Sequence, residues 1–136
     1  MSNAWQSIAG FPLFVLYFAT AVALLALFAA IYVRVTVYRE LSLIREGNIA
    51  AALSLSGALI GFALPLASAV AHSVNPLDML VWGVVALVIQ LAVYVAVGRL
   101  VPHFREAIVA GRAAAAALLA ALAIAIGILN AACLTY

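Results

Sequence analysis

The chain alternates between long uncharged apolar stretches and short polar segments. A hydrocarbon core ~30 Å thick is crossed by ~20 helical residues rising 1.5 Å each. Four windows reach that length: Phe11–Val33, Ile49–Val70, Leu77–Gly98 and Ala113–Leu134. Their one charged residue is Asp78, at the lip of the third. Lipid offers backbone groups no hydrogen-bond partners, so each window predicts a helix. The expected fold is an all-α integral membrane protein, a single four-helix transmembrane domain over residues 1–136. It divides into two tandem helical hairpins, residues 11–71 and 77–134. Pro12 opens the first window, where proline is tolerated. The residues before it carry no basic group, and the apolar run is longer than the ~7–15 residues of a signal peptide. It therefore reads as a retained span.

The polar segments differ sharply from one another. Arg34, Arg39 and Arg45 lie in the first, and Arg99, Arg105 and Arg112 lie in or beside the third. The middle one, His72-Ser73-Val74-Asn75-Pro76, has no basic residue. Asn75, Pro76 and Asp78 fit the N-cap, first and third positions of the helix that follows, a variant of the capping box. Basic residues beside spans stay on the cytoplasmic side. Both arginine stretches are thus expected in the cytoplasm, and both termini with the His72–Pro76 turn in the periplasm.

Each arginine stretch also interleaves apolar and charged residues: Arg39-Glu40-Leu41-Ser42-Leu43-Ile44-Arg45 and Pro102-His103-Phe104-Arg105-Glu106-Ala107-Ile108. Either could form a short helix at headgroup level, its apolar side in the acyl chains, or prolong a neighbouring span. Glu40, Glu46 and Glu106 read as surface partners of the arginines. A 64-residue offset aligns Ile44, Gly47, Ala51, Ala52, Leu55, Ile60 and Ala67 with Ile108, Gly111, Ala115, Ala116, Leu119, Ile124 and Ala131. That pattern suggests a duplicated hairpin, its copies related by an axis along the membrane normal.

Composition agrees: 71% of residues are hydrophobic and 7% charged, against about 25% charged in soluble domains. A net charge of +2, confined to helix ends, gives no reason to expect nucleic-acid binding. The single Cys133 excludes an intrachain disulfide framework. Within the spans, Gly57, Gly61, Ala123, Gly127 and Ala131 form ridges of small residues that let helices approach closely. Pro65 removes a backbone donor, so a kink is expected there. Ser54, Ser56, Gln90 and Asn130 are the candidate intramembrane polar site, facing protein or a water-filled path because unpaired amides are costly in lipid. No nucleophile has a base at motif spacing, and His72 and His103 lie at opposite ends. No catalytic residue, cofactor or metal is expected, and the chain does not read as an enzyme.

The run Arg39-Glu40-Leu41-Ser42-Leu43-Ile44-Arg45-Glu46-Gly47-Asn48-Ile49-Ala50-Ala51-Ala52, preceded by Tyr38, resembles the signature of the YjfL-like family of small bacterial inner-membrane proteins. Gly57–Leu66, His72-Ser73, Gly127–Ala132, and Trp82 with Gln90 resemble it as well. The resemblance implies a four-span protein of a domain-of-unknown-function family, associated by context with envelope maintenance and membrane stress, and supplies no catalytic residues. The expected role is an oligomerising structural or partner-binding component of the cell inner membrane, with a homo-oligomer as its assembly. Arg39, Arg45, Arg105 and Arg112 would meet anionic headgroups or a peripheral cytoplasmic protein. The alternative is a subunit of a small oligomeric channel or transporter.

Overall fold

The computed structural model describes residues 2–36 and 39–134, so Tyr38 lies outside it. The described residues form α1 (Ser2–Ala9), α2 (Phe11–Val35), α3 (Glu40–Arg45), α4 (Ile49–His72), α5 (Pro76–Leu100), α6 (Phe104–Val109) and α7 (Ala113–Cys133). Four helical segments among them are long and apolar enough to cross a membrane. The first runs from Asn3 to Val35, 33 residues, and so begins well before the expected Phe11. Gly10 keeps helical angles (φ −79°, ψ −9°). Its N–H donates to Gln6 O at 3.2 Å, and its carbonyl accepts from Phe14 N at 3.1 Å. α1 thus continues α2, giving a rod about 50 Å long at 1.5 Å per residue.

The connection between α4 and α5 is capped from both sides. Asn75 Oδ1 accepts from Asp78 N at 2.9 Å, and Asp78 Oδ2 accepts from Val74 N at 3.1 Å. Asn75 is the N-cap and Pro76 the first helical residue, as the spacing predicts.

At the arginine end the short segments are separate helices and not prolonged spans. α3 and α6 each have six residues. Their C-termini are built alike, 64 residues apart. Glu46 N, Gly47 N and Asn48 N donate to Ser42, Ile44 and Leu43 carbonyls; Ala110 N, Gly111 N and Arg112 N donate to Glu106, Ile108 and Ala107 carbonyls. Gly47 (φ +89°) and Gly111 (φ +80°) occupy the left-handed position this ending requires, where a side chain would be strained. As separate helices they match the first of the two alternatives, but their apolar sides face protein and not acyl chains. Phe104, Ala107 and Ile108 are buried, and Leu43 and Ile44 pack against the core. The ends of the spans offer them protein contact in place of lipid. Leu41 alone stays exposed among the large apolar residues of α3.

α4 is the most enclosed span, with half of its apolar window buried against 11% for the first span. Its tightest neighbour is α7, which runs parallel to it. Asn48 Nδ2 donates to Ile108 O (2.9 Å) and Val109 O (3.2 Å) at one end, and Ser68 Oγ donates to Ala131 O (2.8 Å) at the other. Between these ties the backbones almost touch. A Cβ added at Gly57 would strike Ala120, one at Gly61 would lie 2.5 Å from Ala123 O, and one at Gly127 would strike the Gly61 backbone. Such approach maximises dispersion contact where lipid removes the hydrophobic incentive to associate. α2 enters the groove between α4 and α5 through Leu24, Phe28 and Tyr32, buried at every fourth position. Phe28 stacks on Phe62 (centroids 4.7 Å), Tyr32 meets Tyr94 edge-on (5.4 Å), and Leu24 lies over Gly83.

Substituting Gly127→Leu should therefore destabilise the bundle by about 1–3 kcal/mol or more, the usual cost of overpacking. Gly98→Ala, whose added Cβ meets nothing within 4 Å, should leave it intact. Midpoints of detergent-monitored unfolding for the two variants check this; equal midpoints would refute the seam.

Candidate functional site

Two polar groupings stand out, one midway along the bundle and one at its arginine end. The first begins at Pro65, through which α4 runs unbroken. Proline has no N–H, so the carbonyl four residues earlier, that of Gly61, loses its helical donor. Gln90 Nε2 on α5 donates to that carbonyl at 2.8 Å and to Ala123 O on α7 at 3.1 Å. The Ala123 carbonyl has a second lone pair for this bond. Both amide protons of Gln90 are used, and the side chain is 2% exposed. Its Oε1 has no hydrogen-bond partner among the described residues. One side chain thus joins three spans at the point of closest backbone approach. Its chemistry is that of a structural pin.

The remaining members of the expected polar site do not gather around it. Ser54 is buried and donates to Ala51 O (3.1 Å) within its own helix. Ser56 is exposed on the outer face of α4, because residues two apart on a helix point in nearly opposite directions. Asn130 lies about two turns beyond Ala123 on α7; its Nδ2 is enclosed and makes no hydrogen bond among the described residues. The four side chains do not line one path in this protomer. Of the ridge residues, Gly57, Gly61, Ala123 and Gly127 are buried in the α4–α7 seam, and Ala131 contributes its carbonyl to it.

At the arginine end all six arginines, including Arg39, Arg45, Arg105 and Arg112, are exposed. Glu40 is not the surface partner expected of it: it is 0% exposed. As the first residue of α3, it points inward while Leu41 points out. It sits within electrostatic reach of the Tyr32 hydroxyl, which also faces Tyr94 and Ser54. Tyr94 Oη donates weakly to Thr36 O (3.5 Å), and its ring meets Phe104 edge-on (6.0 Å). Thr36 is fully buried as well. The alternating charges around Glu40 suggest a solvated edge; only the fold of α3 onto α4 encloses it. Beside this cluster, a cleft of about 480 Å³ opens between the ends of α2, α5 and α6, lined among others by Tyr94, Gly98, Arg99, His103, Arg105 and Glu106. His103 has φ +55°, in the left-handed region, where non-glycine residues are uncommon.

The family described as Domain of Unknown Function (DUF350) matches residues 6–134. The UPF0719 inner membrane protein YjfL of Escherichia coli (strain K12) is 41% identical over 120 residues, covering 88% of this chain and 91% of that protein. The UPF0719 transmembrane protein YshE of Bacillus subtilis (strain 168) is 32% identical over 89 residues, 65% of this chain and 66% of that protein. No solved structure matches.

If Gln90 is the donor that Pro65 requires, the two positions must be coupled. Gln90→Leu should cost about 1–2 kcal/mol because it leaves a buried carbonyl unsatisfied. In a Pro65→Ala background the alanine N–H restores the helical bond to Gly61 O. The same substitution should then cost about 1 kcal/mol less. A double-mutant cycle in detergent unfolding measures the difference; additivity within about 0.3 kcal/mol would sever the link.

Proposed function

We propose a role that starts from one premise: the chain belongs to the Domain of Unknown Function (DUF350) family. It is an inner-membrane protein with four candidate spans. Within that frame it is a non-enzymatic structural or partner-binding component of the envelope, assembled as a homo-oligomer. Its arginine end lies in the cytoplasm, where it engages anionic headgroups or a peripheral protein, and both termini lie in the periplasm. The observation carrying this reading is the division of labour along the bundle. Six exposed guanidinium groups collect at one end, while the interior is held shut by helix backbones in near contact. Basic groups near an anionic leaflet contribute ~1 kcal/mol each. The matching ends of α3 and α6, with their glycines 64 residues apart, support a duplicated hairpin.

A second reading, a subunit of a small channel or transporter, draws on Glu40. A fully buried carboxyl within electrostatic reach of the Tyr32 hydroxyl is the kind of group that serves ion or proton pathways in membrane proteins. Proteoliposomes with a pH-sensitive dye separate the two. Under the structural reading, wild type and Glu40→Gln both leave an imposed pH gradient undisturbed; a leak in wild type that the substitution abolishes would favour transport.

Threading is tested with the native thiol. Cys133 is exposed near the end of α7 remote from the arginines. A membrane-impermeant maleimide should label it in cells whose outer membrane alone is permeabilised. A thiol introduced by Ser42→Cys in a Cys133→Ser background should react only after lysis. The reverse pattern would invert the protein.

A further inference from the structure

The cleft between the ends of α2, α5 and α6 has a counterpart in the first half of the chain. A second cleft of about 330 Å³ is lined by Ala29, Ala30, Val33, Arg34 and Leu41, with two leucines of α4. Five of these positions correspond, 64 or 65 residues earlier, to lining residues of the larger one. Ala29 stands for Tyr94, Ala30 for Val95, Val33 for Gly98, Arg34 for Arg99 and Leu41 for Arg105. The fold makes both clefts; the side chains make them different. The first-half cleft is aliphatic with a single arginine at its margin. The larger, second-half cleft is lined by two arginines, a histidine and a tyrosine, with a glycine where the other has valine.

Gly98 widens the larger cleft. A Cβ there would meet nothing within 4 Å, so the missing side chain leaves space and relieves no clash. Arg99 and Arg105 come from different helices and border the same space, and His103, in its left-handed conformation, joins them. Backbone held in sparsely populated regions is often associated with binding sites. Glu106 also lines the cleft, so the formal charge is +2 from the arginines and −1 from Glu106, or +1 with neutral histidine. Guanidinium groups match an oxyanion in planar, two-pronged fashion. Basic pockets between spans at the cytoplasmic face suit phosphorylated headgroups.

We propose that this second-half cleft is a phosphate-binding site, holding the phosphate of an anionic phospholipid headgroup or a free phosphate between Arg99 and Arg105. The proposal rests on the reading that the arginine end meets anionic groups, and narrows it from a diffuse surface to one cleft. The first-half cleft is its internal control, because five of its lining positions match and only one of them carries a cation.

The test uses the purified full chain in detergent, with dioleoyl phosphatidylglycerol, dioleoyl phosphatidylcholine or inorganic phosphate as probes. Native mass spectrometry reads retained lipid, and thermal unfolding reads stabilisation by each probe. Wild type should retain phosphatidylglycerol over phosphatidylcholine. The double substitution Arg99→Gln/Arg105→Gln should lower that retention about tenfold or more, given ~1 kcal/mol per basic group. Gly98→Leu should do the same by filling the cleft, with the unfolding midpoint in the absence of probe unchanged as evidence that it folds. Arg34→Gln should change retention less than twofold. Stabilisation by inorganic phosphate that Gly98→Leu abolishes, with no preference for phosphatidylglycerol, would support the site and assign it a free ligand. Equal losses from Arg34→Gln and the Arg99/Arg105 pair would overturn the site while leaving a general basic surface standing. No response to any probe would overturn the site outright, and Cys133 labelling decides the broader threading independently.

Discussion

The carbonyl of Gly61 is where the architecture converges. Pro65 deprives it of its donor, and Gln90 supplies another from the neighbouring span. Gly127 comes so close to it that a single methyl would collide. In hydrocarbon an unsatisfied carbonyl is costly, so Pro65 in α4 is tolerable only with α5 alongside. The second proton of the same amide reaches Ala123 on α7, which binds the third helix to the same arrangement. A weakness in one helix has become the reason that three helices associate in one register. Packing of small residues then supplies the attraction, and the amide supplies the alignment.

Some of this was open to inspection in the linear chain and some was not. Four apolar windows with a single charge among them announce four apolar helices, because length and charge are local properties. The Asn75-Pro76-Asp78 cap is equally local. The pairing of Pro65 with Gln90 depends on which span lies against which, and nothing near either residue records it. A ridge of glycine and alanine says that some backbone comes close without saying whose. Glu40 misled because alternating charges in a six-residue helix look like a solvated edge; the turn at Gly47 folds that edge back onto α4. Ser56 misled for a simpler reason, since it is near Ser54 along the chain yet on the opposite side of the helix. The helical segment before Phe11 is not legible in the sequence because Pro12 marks an opening turn, yet Gly10 retains helical angles and carries the helix through.

α3 and α6 end alike but differ in what they bury. Gly47 and Gly111 take the same left-handed turn, and α3 and α6 end in the same bonds. Where the first half buries Glu40, the second buries Phe104, 64 residues later. Asn48 caps α4 and reaches the carbonyls of Ile108 and Val109; Arg112, its counterpart, caps nothing with its side chain. The backbone turn is thus common to α3 and α6, while the side chains around it differ at buried and exposed positions alike.

Parallel packing of α4 and α7 has a consequence for biosynthesis. Gly127 follows Gly61 by 66 residues, so at ~5–20 residues per second the ribosome emits it roughly 3–13 s later. Throughout that interval the α4 ridge lacks the helix that covers it in the complete fold. Gln90 emerges only 29 residues after Gly61, in less than half the time, and can shield the exposed carbonyl while the hairpin waits for its final helix.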